Sequence, residues 1–416
     1  MKLPKGWKKK RLADLVDPER KITYGIVQPG EFTPDGVPLV RGQDYSFGWV
    51  PLEKLFRVSA AINHPYRRSR LIGGDLVMTI VGAGTGNVAL VPDYVSGANI
   101  TQTTARIAVD QSLADTNYVR HQLQSQTGKR EVYRYVKGGA QPGLNIGDVE
   151  EFLIPLPPLP EQRKIADILT TWDEALTQLD ALIETQERRK KALMQQLLTG
   201  RRRLKGFDQS NGKTASDRFG TYPADWKRVR LGEVTTEVPT KNAQGTKLPV
   251  LSCTKHRGLV LSEEYFGKRV YAEDTSGYRV VQRGEFAYAT NHIEEGSIGY
   301  QNLCDAGLVS PIYTVFKTTE AVDDSYIFRV LKSTMLIHLY QINTSASVDR
   351  RGSLRYDEFS RIHIWLPGKE EQTAIAQVFD TADQQLTLLR TQRSALDQQK
   401  RGLMQRLLTG KLRVKP

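Results

Sequence analysis

Only two cysteines, Cys253 and Cys304, occur in 416 residues. They stand far apart with no histidine at ligand spacing, which argues against a disulfide framework and a structural zinc site. No run of 18 apolar residues exists, so no membrane span and no membrane partner are expected. The opening Met1-Lys2-Leu3-Pro4-Lys5-Gly6-Trp7 has no hydrophobic signal core, and a cytoplasmic chain is expected. A Gly-x-x-x-x-Gly-Lys-Ser/Thr loop is missing, and with it the usual cradle for ATP phosphates. Asn/Asp-Pro-Pro-Tyr/Phe, the motif of amino-methyltransferases, is missing too. The six histidines are too scattered for a triad or a metal site. The pairs Glu294-Glu295 and Asp323-Asp324 read as solvated loop charges rather than a nuclease centre. Catalytic, cofactor-binding and metal residues are therefore not expected in this chain.

One glycine-rich stretch needs separate treatment. Val81-Gly-Ala-Gly-Thr-Gly86 resembles the loop by which methyltransferases hold S-adenosylmethionine. Such a loop follows a strand and opens a helix. Here it runs into Asn87-Val-Ala-Leu-Val-Pro92, which reads as a strand, so a hairpin turn is expected.

What the chain does have is positive charge and a repeat. Lys and Arg number 59 against 46 Asp and Glu, for a net charge of +13 and a pI near 9.5. A polyanionic partner follows, nucleic acid before membrane. Residues 161–200 return at 371–410, offset by 210 without a gap and identical at 17 of 40 positions. Each copy reads as one long helix with a heptad seam stepping 4-3-4-3. In the first the seam is Ile165, Leu169, Trp172, Leu176, Leu179, Ile183, Gln186, Lys190, Leu193 and Leu197. In the second it is Ile375, Phe379, Ala382, Leu386, Leu389, Arg393, Leu396, Lys400, Leu403 and Leu407. Prolines and an acidic first turn at Glu161 mark the entrance, and Leu-Leu-Thr-Gly closes both copies. Each helix would be roughly 57 Å long at 1.5 Å per residue. Two equal seams in one chain most simply pair with each other, antiparallel, with paired numbers summing to about 572 and a globular unit at each end. That register places Lys400 beside Trp172, where its ammonium could lie over the indole, and Arg393 beside Leu179.

The segments before the helices repeat as well. Pro4-x-x-Trp7 and its basic run return as Pro223-x-x-Trp226 at offset 219. Val37-Pro-Leu-Val-Arg41, Gly74–Ile80 and Ala105–Val109 read as strands, and about 117–135 as a helix. Leu248-Pro-Val-Leu251 answers Val37-Pro-Leu-Val40, and Leu354 answers Leu144. The frameworks match while the residues between them differ, as two copies of one job on two targets would require. The expected segments are 1–155, helix 156–200, a mobile polar linker 201–220, 221–365, helix 366–410 and a basic tail 411–416.

The combination of Ile154-Pro-Leu-Pro-Pro-Leu-Pro-Glu-Gln-Arg-Lys-Ile-Ala166 with Leu-Leu-Thr-Gly, a Trp-initiated unit, and the whole set repeated resembles the specificity subunit of type I restriction–modification enzymes. The resemblance implies an α+β fold. It comprises two tandem-duplicated α/β target recognition domains, each followed by a long spacer helix, the helices pairing as an antiparallel coiled coil with pseudo-two-fold symmetry. It implies a non-catalytic subunit whose domains each read one half of a bipartite, asymmetric site on double-stranded DNA. The helices set the spacer and dock two modification (methyltransferase) subunits and, through them, the restriction (ATP-dependent translocase/nuclease) subunits. S-adenosylmethionine, ATP and Mg would belong to those partners and none to this chain. The alternatives are the specificity component of another methylation-based defence system, or a stand-alone DNA methyltransferase. The second copy departs from the pattern in reading Leu366-Pro-Gly-Lys-Glu-Glu-Gln372, without the run of prolines.

Base edges are read by Arg, Lys, Asn and Gln, and phosphates by basic and hydroxyl side chains. The candidate DNA-binding residues of the first domain are Arg41, Gln43, Thr85, Asn87, Gln102 and Gln141, with Arg130, Arg134 and Lys137 for phosphates. In the second they are Lys255, His256, Arg257, Asn291, His292, Arg350 and Arg351.

Overall fold

A computed structural model describes residues 3–139, 141–208, 212–217, 220–345 and 353–415. The chain divides into two compact units, Met1–Ala181 with Arg390–Pro416 and Leu182–Leu389. Each unit thus holds a globular part and portions of both long helices.

In the first unit the basic run becomes an edge strand, Lys8–Arg11, paired antiparallel with Leu153–Leu156 just ahead of the long helix Leu159–Leu197. Entrance and exit of the globular part are thereby joined. Between them lies an antiparallel four-stranded sheet in the order Thr23–Tyr24, Thr104–Ile107, Leu76–Thr79, Val88–Leu90. Alternation assigns its faces. Leu76, Met78, Ala105 and Ile107 enter the main core with Trp7, Tyr118, Phe152, Ile165 and Leu169. Val77, on the other face, joins a smaller cluster around Val40, Tyr45 and Leu71. The strands expected at 37–41, 74–80 and 105–109 are all present, within two residues at their ends.

The helix expected over 117–135 is two helices, Thr116–Gln124 and Gln126–Tyr135. Ser125 breaks it: extended in backbone, it accepts hydrogen bonds from the Thr127 and Gly128 amides and caps the second helix. At Gly128 a Cβ would stand 2.2 Å from the Leu123 carbonyl oxygen, so the turn is too close for any other residue.

The second unit repeats this plan. Lys227–Arg230 pairs with His363–Leu366 ahead of the helix Lys369–Leu408. The four-stranded sheet runs Thr235–Glu237, Tyr313–Thr318, Phe286–Ala289, Ile298–Tyr300, the same order and sense. Helices Asp324–Leu331 and Thr334–Ser345 follow, the first capped by Asp323 accepting from the Tyr326 amide. Asp323 also accepts from Thr373 Oγ1, and Asp324 accepts from Tyr300 OH. This acidic pair is structural, not a solvated loop. Leu354 N donates to Thr290 O as Leu144 N donates to Ile80 O, so the expected correspondence of the two leucines holds at the level of one backbone bond.

Seam positions of both long helices are buried or half-buried, and most residues between them are exposed. Ile165, Leu169, Leu176, Leu197, Ile375, Phe379, Leu386 and Leu407 are buried; Trp172, Leu179, Leu193, Leu389 and Leu403 are half-buried. The pairing is antiparallel. Within the first unit Lys400 bonds Asp173 and Arg393 bonds Asp180 at 3.0 Å; within the second Lys190 bonds Asp383. The seam cations thus take carboxylates one residue beyond the expected neighbours. Lys400 finds Asp173 rather than the Trp172 indole, because a full counter-charge outweighs a ring quadrupole.

The stretch expected to be a mobile linker is built into the second unit. Thr214–Asp217 pairs with Gly220–Pro223, and Trp365 Nε1 donates to Asp217 at 2.8 Å. Arg203 is 9% exposed and clamps Glu371 through Nε and Nη2 at 2.6 and 2.7 Å, and Asp225 through Nη1 and Nη2. The basic tail repeats the arrangement in the first unit, where Arg413 holds Glu161 at 2.6 and 2.8 Å while Trp7 Nε1 donates to the same carboxylate. Arg413 and Arg203 lie over Trp7 and Trp226 respectively. The closing glycines complete the clasp. Gly410 and Gly200 have φ of +70° and +67°, and a Cβ would stand 2.3 Å from Pro4 and 2.4 Å from Pro223. Glu-Gln, Pro-x-x-Trp and Leu-Leu-Thr-Gly are therefore parts of one joint between globular part and helix. The glutamines belong to it too: Gln162 and Gln372 donate to the Pro157 and Pro367 carbonyls and accept from the Asp115 and Asp323 amides. The second copy keeps this with a single proline.

Candidate nucleic-acid interface

In each unit a cavity opens at the same end of the four-stranded sheet. Thr79 faces Thr104 across the first ladder, and Ala289 faces Tyr313 across the second. The chain on either side of those pairs lines the cavities, each of about 590 Å³. In the first unit Arg41, Gln43, Val81, Gln102 and Phe47 are among the lining residues. In the second they include Glu237, Arg279, Thr290, Asn291 and Arg355. One scaffold thus presents two different sets of polar groups.

The candidate residues fall into three groups in the first unit. Gln43, Asn87, Gln102 and Gln141 are exposed, with amides available to an incoming edge. Arg41 and Thr85 are engaged internally. Arg41 makes a forked contact with Asp44 at 3.1 Å through Nε and Nη2, capping the short helix Gly42–Asp44 over the Phe56 ring. Thr85 Oγ1 lies 2.7 Å from Gly82 O and 2.9 Å from Pro142 O, joining the glycine loop to the segment that carries Gln141. The glycine loop is a hairpin between antiparallel strands, as its sequence context implied. Arg130, Arg134 and Lys137 are exposed on and just beyond Gln126–Tyr135, which packs under that loop: a Cβ on Gly86 would stand 3.0 Å from Val132. Arg134 lies against Tyr135, and Lys137 is 3.6 Å from Asp148 while remaining 74% exposed.

In the second unit Lys255, His256 and Arg257 form the exposed turn of a hairpin, Leu251–Thr254 with Gly258–Leu261. The Lys332 ammonium donates to Lys255 O at 2.7 Å and Gly296 O at 2.8 Å, tying this turn to the loop that carries Asn291 and His292. Burial lowers the Lys332 pKa. His292 lies 4.0 Å from Glu295. Arg350 and Arg351 lie outside the described residues.

Sequence reasoning missed Phe47, fully exposed at the tip of a turn beside Gly48 (φ +104°) on the rim of the first cavity. Nothing in its local pattern marks it. It missed also the run Arg67-Arg68-Ser69-Arg70, plain as a basic cluster but without a partner copy in the repeat.

A family model for the type I restriction modification DNA specificity domain matches residues 4–187. The EcoBI type I restriction enzyme specificity subunit of Escherichia coli is 31% identical over 163 residues, which is 39% of this chain and 34% of that subunit's length. The specificity subunit assigned to the MjaX type I enzyme of Methanocaldococcus jannaschii is 24% identical over 99% of this chain and 95% of its own. Over these spans the chain is similar to the specificity subunits of type I restriction–modification enzymes. The fold of these subunits is shared: the crystal structure of the M. genitalium type I S subunit superposes with a TM-score of 0.59 at 15% identity, covering 98% of both chains. No helix among the described residues is long and apolar enough to cross a membrane.

Proposed function

We propose that this chain selects DNA for a type I restriction–modification complex, each globular domain reading one half of a bipartite, asymmetric site. The observation that carries the reading is the pairing of a repeated scaffold with unlike cavities. Sheet order, clasp and leucine anchor recur, while amides and Phe47 line one cavity and Asn291, Arg279 and Arg355 the other. Gln43, Gln102 and Asn291 supply base-edge contacts, and Arg130, Arg134 and Lys137 supply phosphate contacts. The two helices, of 39 and 40 residues, fix the unread spacer between half-sites. At 1.5 Å per residue they extend roughly 60 Å. Their exposed faces, left free by the seam, dock two methyltransferase subunits and through them the restriction subunits. S-adenosylmethionine, ATP and Mg belong to those subunits, and the complex works in the cytoplasm.

The test is co-purification with the cognate methyltransferase, followed by titration of duplex DNA over a range of salt. A complex holding two methyltransferase subunits per chain, whose DNA affinity falls steeply and log-linearly with salt, supports the reading. A chain that binds DNA no better than the methyltransferase alone would end it.

A further inference from the structure

One ladder position holds an arginine in the first unit and a valine in the second. Arg106 lies opposite Val77, and Val315 lies opposite Ala287 at the corresponding place. Val315 is fully buried in an apolar cluster with Leu251, Leu259 and Val281. The fold therefore does not need a cation there. Arg106 is only 2% exposed. Its Nη2 donates to Lys21 O at 2.9 Å, while Nε and Nη1 find no hydrogen-bond partner among the described residues. The nearby carboxylate of Asp75 is already held by Arg20 through bonds of 2.8 and 2.6 Å. Burial, and then repulsion from Arg20, push the Arg106 pKa down, yet a guanidinium stays charged in water-accessible pH. A buried charge with two idle donors is costly unless something anionic completes it.

Arg106 lines a cavity of about 760 Å³ with Arg20, Lys21, Arg67, Arg68 and Arg70, against only two carboxylates, Glu19 and Glu150. Arg67, Arg68 and Arg70 are exposed at and beside the short helix His64–Ser69. The volume suits a small ligand, and the donors suit one chemical class. We propose that this cavity is a phosphate site, with Arg106 at its floor and Arg67, Arg68 and Arg70 at its rim. Arginine forks match the tetrahedral oxygens of a phosphoryl group. The phosphate comes from the DNA backbone or from a free phosphorylated compound. The first source rests on the function proposed above; the second does not.

The test uses the full chain and three measurements. Thermal unfolding is followed against inorganic phosphate, with chloride at matched ionic strength, for the wild type, Arg106→Gln and the Arg67→Ala/Arg70→Ala rim variant. A saturable rise in the wild type, weakened at least ten-fold in both variants, is expected; the exposed rim variant carries the test should Arg106→Gln not fold. Duplex binding by the rim variant then separates the sources. Weaker binding with a salt slope smaller by about 1–2 assigns the phosphate to DNA, with or without a response to free phosphate. Unchanged duplex binding with a lost phosphate response assigns a free compound. A phosphate response absent, or equal in all three proteins, together with unchanged duplex binding overturns the site. The methylation motif directed by the wild type, read separately from genomic DNA, reports on the DNA-selection reading whichever way the phosphate arms fall.

Discussion

Replacing Arg203 by methionine should loosen the second unit more than replacing Arg413 by methionine loosens the first, although the two arginines occupy equivalent places in the repeat. Arg203 is 9% exposed and its guanidinium bonds Glu371, itself 4% exposed, together with Asp225 and Phe207 O. Methionine keeps the apolar stem against Trp226 but strands a buried carboxylate. Breaking such a pair by removing one partner costs about 3–5 kcal/mol. Arg413 makes the same forked contact with Glu161, which is 2% exposed, yet its own side chain is 44% exposed. Solvent therefore screens it, and Trp7 Nε1 still serves the carboxylate. The cost is well below that at Arg203. Global denaturation blends two units, so the assay is native-state hydrogen exchange by mass spectrometry, comparing peptides around Glu371 with those around Glu161. Equal loosening in the two units, or changes below about 0.5 kcal/mol in both, would refute the clasp as the joint between globular part and helix.

Other outcomes follow from the same geometry. Leu169→Ala, at a position with no exposure, should destabilise the first unit by about 2–5 kcal/mol. Leu182→Ala, at 42% exposure, should stay within about 0.5 kcal/mol; native-state hydrogen exchange around each position checks both. His121 is wholly buried beside Arg120, Asp173 and Lys400, and burial, then Arg120, bring its pKa from 6.5 down to about 3. The unfolded chain therefore binds the extra proton first, so stability present above pH 6.5 is lost as pH falls toward 3. The loss is about 1.4 kcal/mol by pH 5.5, and His121→Gln should flatten that slope. Arg130→Ala with Arg134→Ala should weaken binding of all duplexes alike and shrink the salt slope by about 2. Gln102→Ala should instead relax one base in one half-site, by about 1–3 kcal/mol of discrimination.

The long helices were legible because a heptad seam depends only on spacing, and Lys400 and Arg393 even marked the antiparallel register to within one residue. The sheets were legible where alternation was strong, as at Leu76–Thr79. The split at Ser125 was not, since one capping side chain decided it against a continuous helical pattern. Nor was the clasp: Glu161 read only as the acidic first turn of a helix and 201–220 as a linker, because ordering of that polar segment comes from Arg203 meeting residues 22 and 168 positions away. The repeat did hold the clue, since Arg203 and Arg413 share the 210-residue offset. Candidate reading residues were chosen by type and loop position. That rule picks Gln102 and Asn291, which line the two cavities, but it does not distinguish Arg41, neutralised by Asp44, from an arginine without a carboxylate partner. Phe47 lay beyond it, as exposure at a turn tip is a property of the fold.

The most direct measurement is methylation-sensitive long-read sequencing of DNA from cells expressing this chain with its cognate methyltransferase, compared with the methyltransferase alone. The account predicts a split motif with a fixed spacer, present only with this chain, and changed on one side alone when residues 1–155 are exchanged for those of another family member. A continuous motif, one indifferent to this chain, or one changed on both sides by that exchange would contradict it.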